Sequence, residues 1–375
     1  MSGVVLHVSK VSGISGSENH LLLLLPQLRE RGWDARFLLL HEDEPGAWEM
    51  ARRLDALGVP VEGVRLPRAA DPVAFARILR SVRAHDPSIL HTHLVHADFH
   101  GLAAGRLAGV PVRVSTKHGF NAFRSSRAFA LADRGAARLA DVNIAISAGL
   151  ARYLEETEGF TPGTFEIVRY GIVAGPEPPP PPAATRVAIV GRLIPIKGHA
   201  DAFDALAALG AAAPPLDVVG DGELRAALEL RAAELGLSGL IRFRGRLPGA
   251  GPALEEASLV LVPSHGEGFG LVALEAMERG RAVIATDVGG LPEIVEHGVT
   301  GLVVPPHDPA ALAQALRELT ADPARCAAMG AAGRLRALAT FAQERNTEGT
   351  IALYEAALAR AARRSRNRSQ ARSSA

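Results

Sequence analysis

The sequence predicts an α/β protein of two doubly wound domains. Three observations carry that prediction. Short runs rich in β-branched and aliphatic residues alternate with longer helix-forming stretches, the pattern of parallel strands covered by helices on both faces. The alternation stops at a proline run and then starts again. At 375 residues the chain is also too long for one ordinary core.

In the first half, Val4–Val8 reads as a strand, followed by a Gly/Ser loop and a helix from about Glu18 to Arg31. Arg36–Leu40 and Ile89–His93 read as further strands, with a helix near Gly101–Leu107 and then strands at Val112–Thr116, Val142–Ser147 and Glu166–Tyr170. Pro178 to Pro182 cannot sit in a helix or a central strand, so a stiff extended linker is expected there. Strands follow at Arg186–Val190, Leu216–Val219, Ile241–Arg244, Leu259–Val262 and Ala282–Thr286. The expected boundaries are a first domain over 1–174, a linker over 175–184, a second domain over 185–346 and a last helix over 347–362. A disordered tail over 363–375 carries Arg363, Arg364, Arg366, Arg368 and Arg372. Two such domains would present the carboxyl ends of their strands to a ligand cleft.

Composition narrows the function. The net charge is +1, which gives no field for nucleic acid. The single cysteine, Cys326, allows neither an internal disulfide nor a cysteine zinc site and suits the cytosol. No apolar run is long enough for a membrane span, and Val4–Val8 has no charged leader of a signal peptide. A cytoplasmic protein is expected.

The chemistry concentrates in the second half. Ser264-His265-Gly266-Glu267-Gly268-Phe269-Gly270-Leu271 opens an apolar helix that carries Glu275. A helix places Glu267 and Glu275 a little over two turns apart, toward one side. Gly268 and Gly270 leave backbone N–H groups free at a helix start, where a phosphate is favoured. Arg192 and Lys197 follow a strand, where two cations can offset the charge on a diphosphate leaving group. Two solvated loop cations would be the bland reading of that pair, and an exposed helix acid that of Glu275.

These segments resemble family 4 of the retaining glycosyltransferases, which have the GT-B fold. Gly191-Arg192-Leu193-Ile194-Pro195-Ile196-Lys197-Gly198 is similar to its G-R-x4-K-G segment, and Glu267 with Glu275 to its E-x7-E motif. Val219-Gly220-Asp221-Gly222, Asp287–Val295 and Gly298–Gly301 match in order and spacing, from about Val187 to Pro309. The resemblance implies that Glu275 binds the nucleotide ribose and that Glu267 contacts the donor hexose beside an oxocarbenium-like centre. It places Gly220 and Gly222 near the nucleotide, and Gly268, Phe269, Gly270 and Leu271 on the donor. Backbone groups around Gly245–Leu247 would hold the base, which brings in Leu247. In the first half, Gly13 and Gly16 would approach the diphosphate and sugar, and His118 would contact the donor sugar. An ordinary strand-to-helix turn is the alternative for the two glycines, and a hydrogen-bonded loop histidine for His118. One departure is Val173 after Gly171-Ile172, where the family often has an acid.

Other residues carry less. Lys117, Asn121 and Arg124 are acceptor-side candidates. His91 and His93 share one strand face at metal-ligating spacing, but no acid or cysteine cluster accompanies them in sequence. No Asp-x-Asp pair occurs, so no metal and no cofactor are expected, and cations and helix dipoles would serve the diphosphate.

The resulting expectation is a retaining, metal-independent hexosyltransferase using a nucleoside diphosphate sugar, with an unidentified sugar, lipid-linked or small-molecule acceptor. Cell-surface glycan, glycolipid or polysaccharide synthesis would be its setting, with the arginine-rich end on the inner face of an anionic membrane. The alternatives are a sugar-nucleotide epimerase on the same fold and a non-catalytic sugar-nucleotide sensor.

Overall fold

A computed structural model describes residues 3–68, 71–120, 127–182, 185–247 and 249–373. The chain divides into two compact units, Met1–Gly171 with Gln343–Ala375, and Ile172–Ala342.

Unit 1 is built on seven strands: β1 Val4–Lys10, β2 Asp34–His41, β3 Val61–Arg65, β4 Ile89–His93, β5 Val112–Lys117, β6 Val142–Ala145 and β7 Phe165–Ile167. All pair in parallel, in the order β3-β2-β1-β4-β5-β6-β7. Apolar strand residues are buried on both faces: Val5 and Val114 pack with the Gly16–Glu30 helix, Leu6 and Leu90 with the Pro72–His85 helix. Ser15 opens the Gly16–Glu30 helix, its backbone N–H and hydroxyl both donating to the Glu18 carboxylate at 3.0 and 2.6 Å. The strand Val61–Arg65 was not expected, because Glu62 and Gly63 interrupt its apolar pattern.

Unit 2 holds six parallel strands: β8 Val187–Val190, β9 Leu216–Val219, β10 Ile241–Gly245, β11 Leu259–Val262, β12 Ala282–Thr286 and β13 Gly301–Val304. Their order is β10-β9-β8-β11-β12-β13. The strand order reverses between β8 and β11, the place where open sheets of this kind bind ligands beyond the strand ends.

The proline segment is held by unit 2. The Arg281 guanidinium is fully buried and donates to the Pro179, Leu254 and Glu255 carbonyls at 3.0 Å each. Gly175 N–H donates to Glu278 at 2.9 Å. The compact-unit boundary therefore falls at 171/172 rather than at 174/175.

The last helix packs on unit 1. Tyr354 is fully buried in its core, and Asn346 donates to the Arg169 carbonyl at 2.6 Å. The expected helix end at 362 and disordered tail are corrected: one helix runs Gln343–Ser373. Beyond Gly349 it has no glycine or proline, and its Ala, Arg and Gln favour helix.

Candidate functional site in unit 2

The donor-side segments meet because glycine backbones touch. Gly198 has φ +65°, and a Cβ there would lie 1.9 Å from the Pro263 carbonyl oxygen. The His265 N–H donates to the Ile196 carbonyl at 2.8 Å. These contacts clamp the turn after β8 onto the loop after β11. As a result the Lys197 ammonium reaches the Glu267 carboxylate at 2.5 Å. Both lie at the β8/β11 switch point, around a small indentation also lined by Gly191, His199 and Ser264.

Gly220 serves a second close approach. Its φ is +135°, and a Cβ would fall 1.8 Å from the Gly191 carbonyl oxygen. At Gly222 a Cβ would lie 2.5 Å from the Leu193 oxygen, and Leu193 N–H donates to the Asp221 carbonyl at 3.0 Å. The two glycine loops are thus stacked backbone on backbone. Arg192, on the first of them, is exposed and makes no side-chain hydrogen bond or ion pair among the described residues.

Gly270 caps the helix Leu271–Glu278 with φ +114°. Glu275, one turn and a half inside that helix, is half-buried, and its carboxylate has no hydrogen-bond partner among the described residues. Burial pushes its pKa up, more than Arg279 pulls it down. The neighbouring Glu278 is the opposite case: Gly175, Arg279 and Arg334 all donate to it. Glu275 is thus the acid left for a ligand, and Glu278 the structural one.

The other expected donor residues divide by exposure. Phe269 is 2 % exposed and packs edge-on against Phe341 at 5.8 Å, so its side chain belongs to the core and only its backbone can meet a ligand. Gly268 is buried and Leu271 half-buried at the helix start, while Leu247 is half-buried two residues beyond β10.

His199 was not among the residues expected from sequence. It is 2 % exposed, lines the same indentation, and neither ring nitrogen has a hydrogen-bond partner among the described residues. Burial lowers its pKa to about 4, with Lys197 adding to the effect. Only the local K-G-H order could have pointed to it.

Candidate residues in unit 1

His118 follows β5 and uses both ring nitrogens within unit 1. Nε2 lies 2.9 Å from His93 Nδ1, and Nδ1 is hydrogen-bonded to the Tyr170 hydroxyl. The chain of contacts continues from His93 Nε2 to His7 Nδ1 at 2.9 Å. His91 contacts Tyr354 at 2.5 Å and Thr116 at 2.7 Å. Burial lowers the pKa of every histidine in this group, so the rings stay neutral near pH 7. The His91–His93 pair does acquire a partner: β1 brings in His7, and the three could together hold a metal ion.

Lys117 is corrected. It is fully buried, with its ammonium 2.7 Å from Asp98 and 2.6 Å from Asp133, and cannot meet an acceptor. Asn121 and Arg124 lie outside the described residues. Gly13 is half-buried in the loop after β1, where a Cβ would meet nothing within 4 Å, and Gly16 is the first residue of its helix.

Two family models match the chain: Glycosyl transferase 4-like domain over residues 15–171 and Glycosyl transferases group 1 over 184–322. The chain is 33% identical to a D-inositol 3-phosphate glycosyltransferase of Frankia alni, over 84% of this chain and 94% of that protein. It is 32% identical to an alpha-maltose-1-phosphate synthase of Mycolicibacterium smegmatis, over 72% and 79%. The fold is similar to that of Anabaena HepE in complex with UDP and glucose, with a TM-score of 0.83 at 21% identity, covering 94% of this chain and 100% of that one. With both halves matched, the chain belongs to glycosyltransferase family 4, the group 1 enzymes of the GT-B fold.

Proposed function

We propose that this glycosyltransferase moves a hexose from a nucleoside diphosphate sugar to an acceptor hydroxyl, with retention of configuration and without a metal ion on the diphosphate. The observation that carries the reading is the Lys197–Glu267 pair at the β8/β11 switch point, with the unpartnered Glu275 on the following helix.

Arg192 and Lys197 bind the diphosphate and stabilise the charge that develops on it as the glycosidic bond breaks. The N–H groups of Gly268, Phe269, Gly270 and Leu271 add the partial charge of a helix start. Glu275 accepts hydrogen bonds from the ribose hydroxyls, which offset the cost of its burial. The loops around Gly220, Gly222 and Leu247 hold the nucleotide. Glu267 stabilises the oxocarbenium-like anomeric centre once the diphosphate draws Lys197 away. We assign Gly13, Gly16 and His118 of unit 1 to the donor as well, with the imidazole neutral.

The relatives are named for different compounds, D-inositol 3-phosphate and alpha-maltose-1-phosphate, so the acceptor does not transfer from them. A setting in cell-surface glycan, glycolipid or polysaccharide synthesis is part of the proposal. So is cytoplasmic docking on an anionic lipid surface through the exposed Arg360, Arg363 and Arg364. Liposome binding that is unchanged on removing residues 360–375 would reject that docking. No helix among the described residues is long and apolar enough to cross a membrane.

Incubation with a panel of nucleoside diphosphate hexoses, before and after exhaustive chelation, tests the activity. Nucleotide release from one donor should persist in EDTA. An epimerised donor, or binding with no turnover, would favour the epimerase or the sensor instead.

A further inference from the structure

We propose that unit 2 carries a divalent transition-metal site of the zinc class, formed by Asp201, His265 and His307. Each residue offers one ligand atom, and these atoms all lie within 4.8 Å of one another. Asp201 lies in the first turn of the His199–Leu209 helix, His265 follows β11, and His307 follows β13. Three segments far apart in sequence therefore converge on one point.

The local chemistry fits an N,N,O donor set. The His265 Nε2 and Asp201 Oδ2 are 2.8 Å apart, and the His265 and His307 rings, tilted by 33°, lie 3.7 Å apart between centroids. His307 is exposed, and its side chain has no hydrogen-bond partner among the described residues. It also holds φ at +57°, a left-handed conformation that is strained for a non-glycine residue. A metal ion would replace the proton shared by His265 and Asp201 and take one lone pair from each ring, leaving a position for water. Two imidazoles and a carboxylate select zinc, nickel, cobalt or copper over magnesium or calcium.

The buried His7, His91 and His93 group is the weaker candidate. Its ring nitrogens are engaged with one another and with Tyr354, Thr116 and His118, and all three side chains are at most 2 % exposed. The Asp201 site is reachable from solvent and sits beside the loop that carries Glu267. Metal there would brace that loop against the start of the His199–Leu209 helix.

The test is calorimetric titration of the chelator-stripped full chain with zinc chloride, repeated with cobalt to record its visible absorption bands. One ion should bind per chain, and zinc should raise the melting temperature. Asp201→Asn and His307→Gly should each weaken binding at least tenfold and abolish the thermal shift. The glycine variant relieves the left-handed backbone, so it keeps the fold intact while removing the ligand. No zinc binding by the unaltered chain overturns the proposal. So does equal binding by the variants, or binding that survives both and is lost in His91→Gln.

Discussion

The Lys197 ammonium lies 2.5 Å from the Glu267 carboxylate, so the cation assigned to the diphosphate and the acid assigned to the hexose neutralise each other. Under the proposed function, an incoming diphosphate would have to compete for Lys197, and its success would free Glu267 to face the sugar. Arg192, exposed and unpaired among the described residues, is available for first contact with the anion.

The pair makes a prediction of opposite signs. Lys197→Ala and Arg192→Ala should each lower turnover roughly 30- to 1,000-fold, the equivalent of about 2–4 kcal/mol of barrier. Both should weaken nucleoside diphosphate binding. Glu267→Gln should lower turnover as well, yet bind the nucleoside diphosphate at least as tightly, because it releases Lys197. Calorimetric titration with each variant checks this. Weaker binding by Glu267→Gln would show that the pair holds the loop and does not gate the anion.

Glu275→Gln should trade function for stability. Burial raises the folded-state pKa of Glu275 above its ordinary value. The folded chain therefore holds this proton more tightly than the unfolded chain does, and stability falls as pH rises through that interval. A neutral amide escapes the cost of an ionised, unpartnered carboxylate. At neutral pH the variant should melt no lower than the parent while its donor affinity drops. A lower melting temperature would show that Glu275 already has a structural partner.

Lys117→Met should damage the fold and not the chemistry. It removes the cation that sits between the buried Asp98 and Asp133, and loss of one partner of a buried ion pair costs about 3–5 kcal/mol. Denaturant unfolding would read that loss directly. Normal stability with a raised acceptor KM would restore the acceptor role set aside here.

Much of the fold was legible from Val, Ile and Leu runs: Ile89–His93, Leu216–Val219, Leu259–Val262 and Ala282–Thr286 read as strands with the bounds they have. The Val61–Arg65 strand was hidden by Glu62 and Gly63, and Gly301–Val304 by the glycine that opens it. Arg192, Lys197, Glu267 and Glu275 could be selected because motif order survives in sequence. Their pairing could not, since it depends on how closely Gly198 approaches Pro263. Lys117 looked like any loop cation, because its partners Asp98 and Asp133 come from other elements. His199 stayed unnoticed because an orphaned ring nitrogen is a property of packing.

Acid should destabilise unit 1 early. Burial holds His7 and His20 at about 3, and pushes His91, His93 and His118 well below the ordinary histidine value. Between about pH 6.5 and those lowered values the unfolded chain binds more protons than the folded one, so stability is lost as pH falls through that window. Melting temperatures should decline steadily from pH 7 to pH 5, before ordinary carboxylates protonate. A flat profile over that range would mean that the histidines titrate normally.

In the proposed function, unit 2 activates a nucleoside diphosphate hexose through Lys197 and Glu267. The most direct measurement is chromatographic detection of free nucleoside diphosphate after incubation with a panel of such donors, for the parent, Lys197→Ala and Glu267→Gln chains. One donor should be cleaved by the parent, and release should fall at least about thirtyfold in each variant. Undiminished cleavage in both variants, or no donor bound or cleaved by the parent chain, would contradict it.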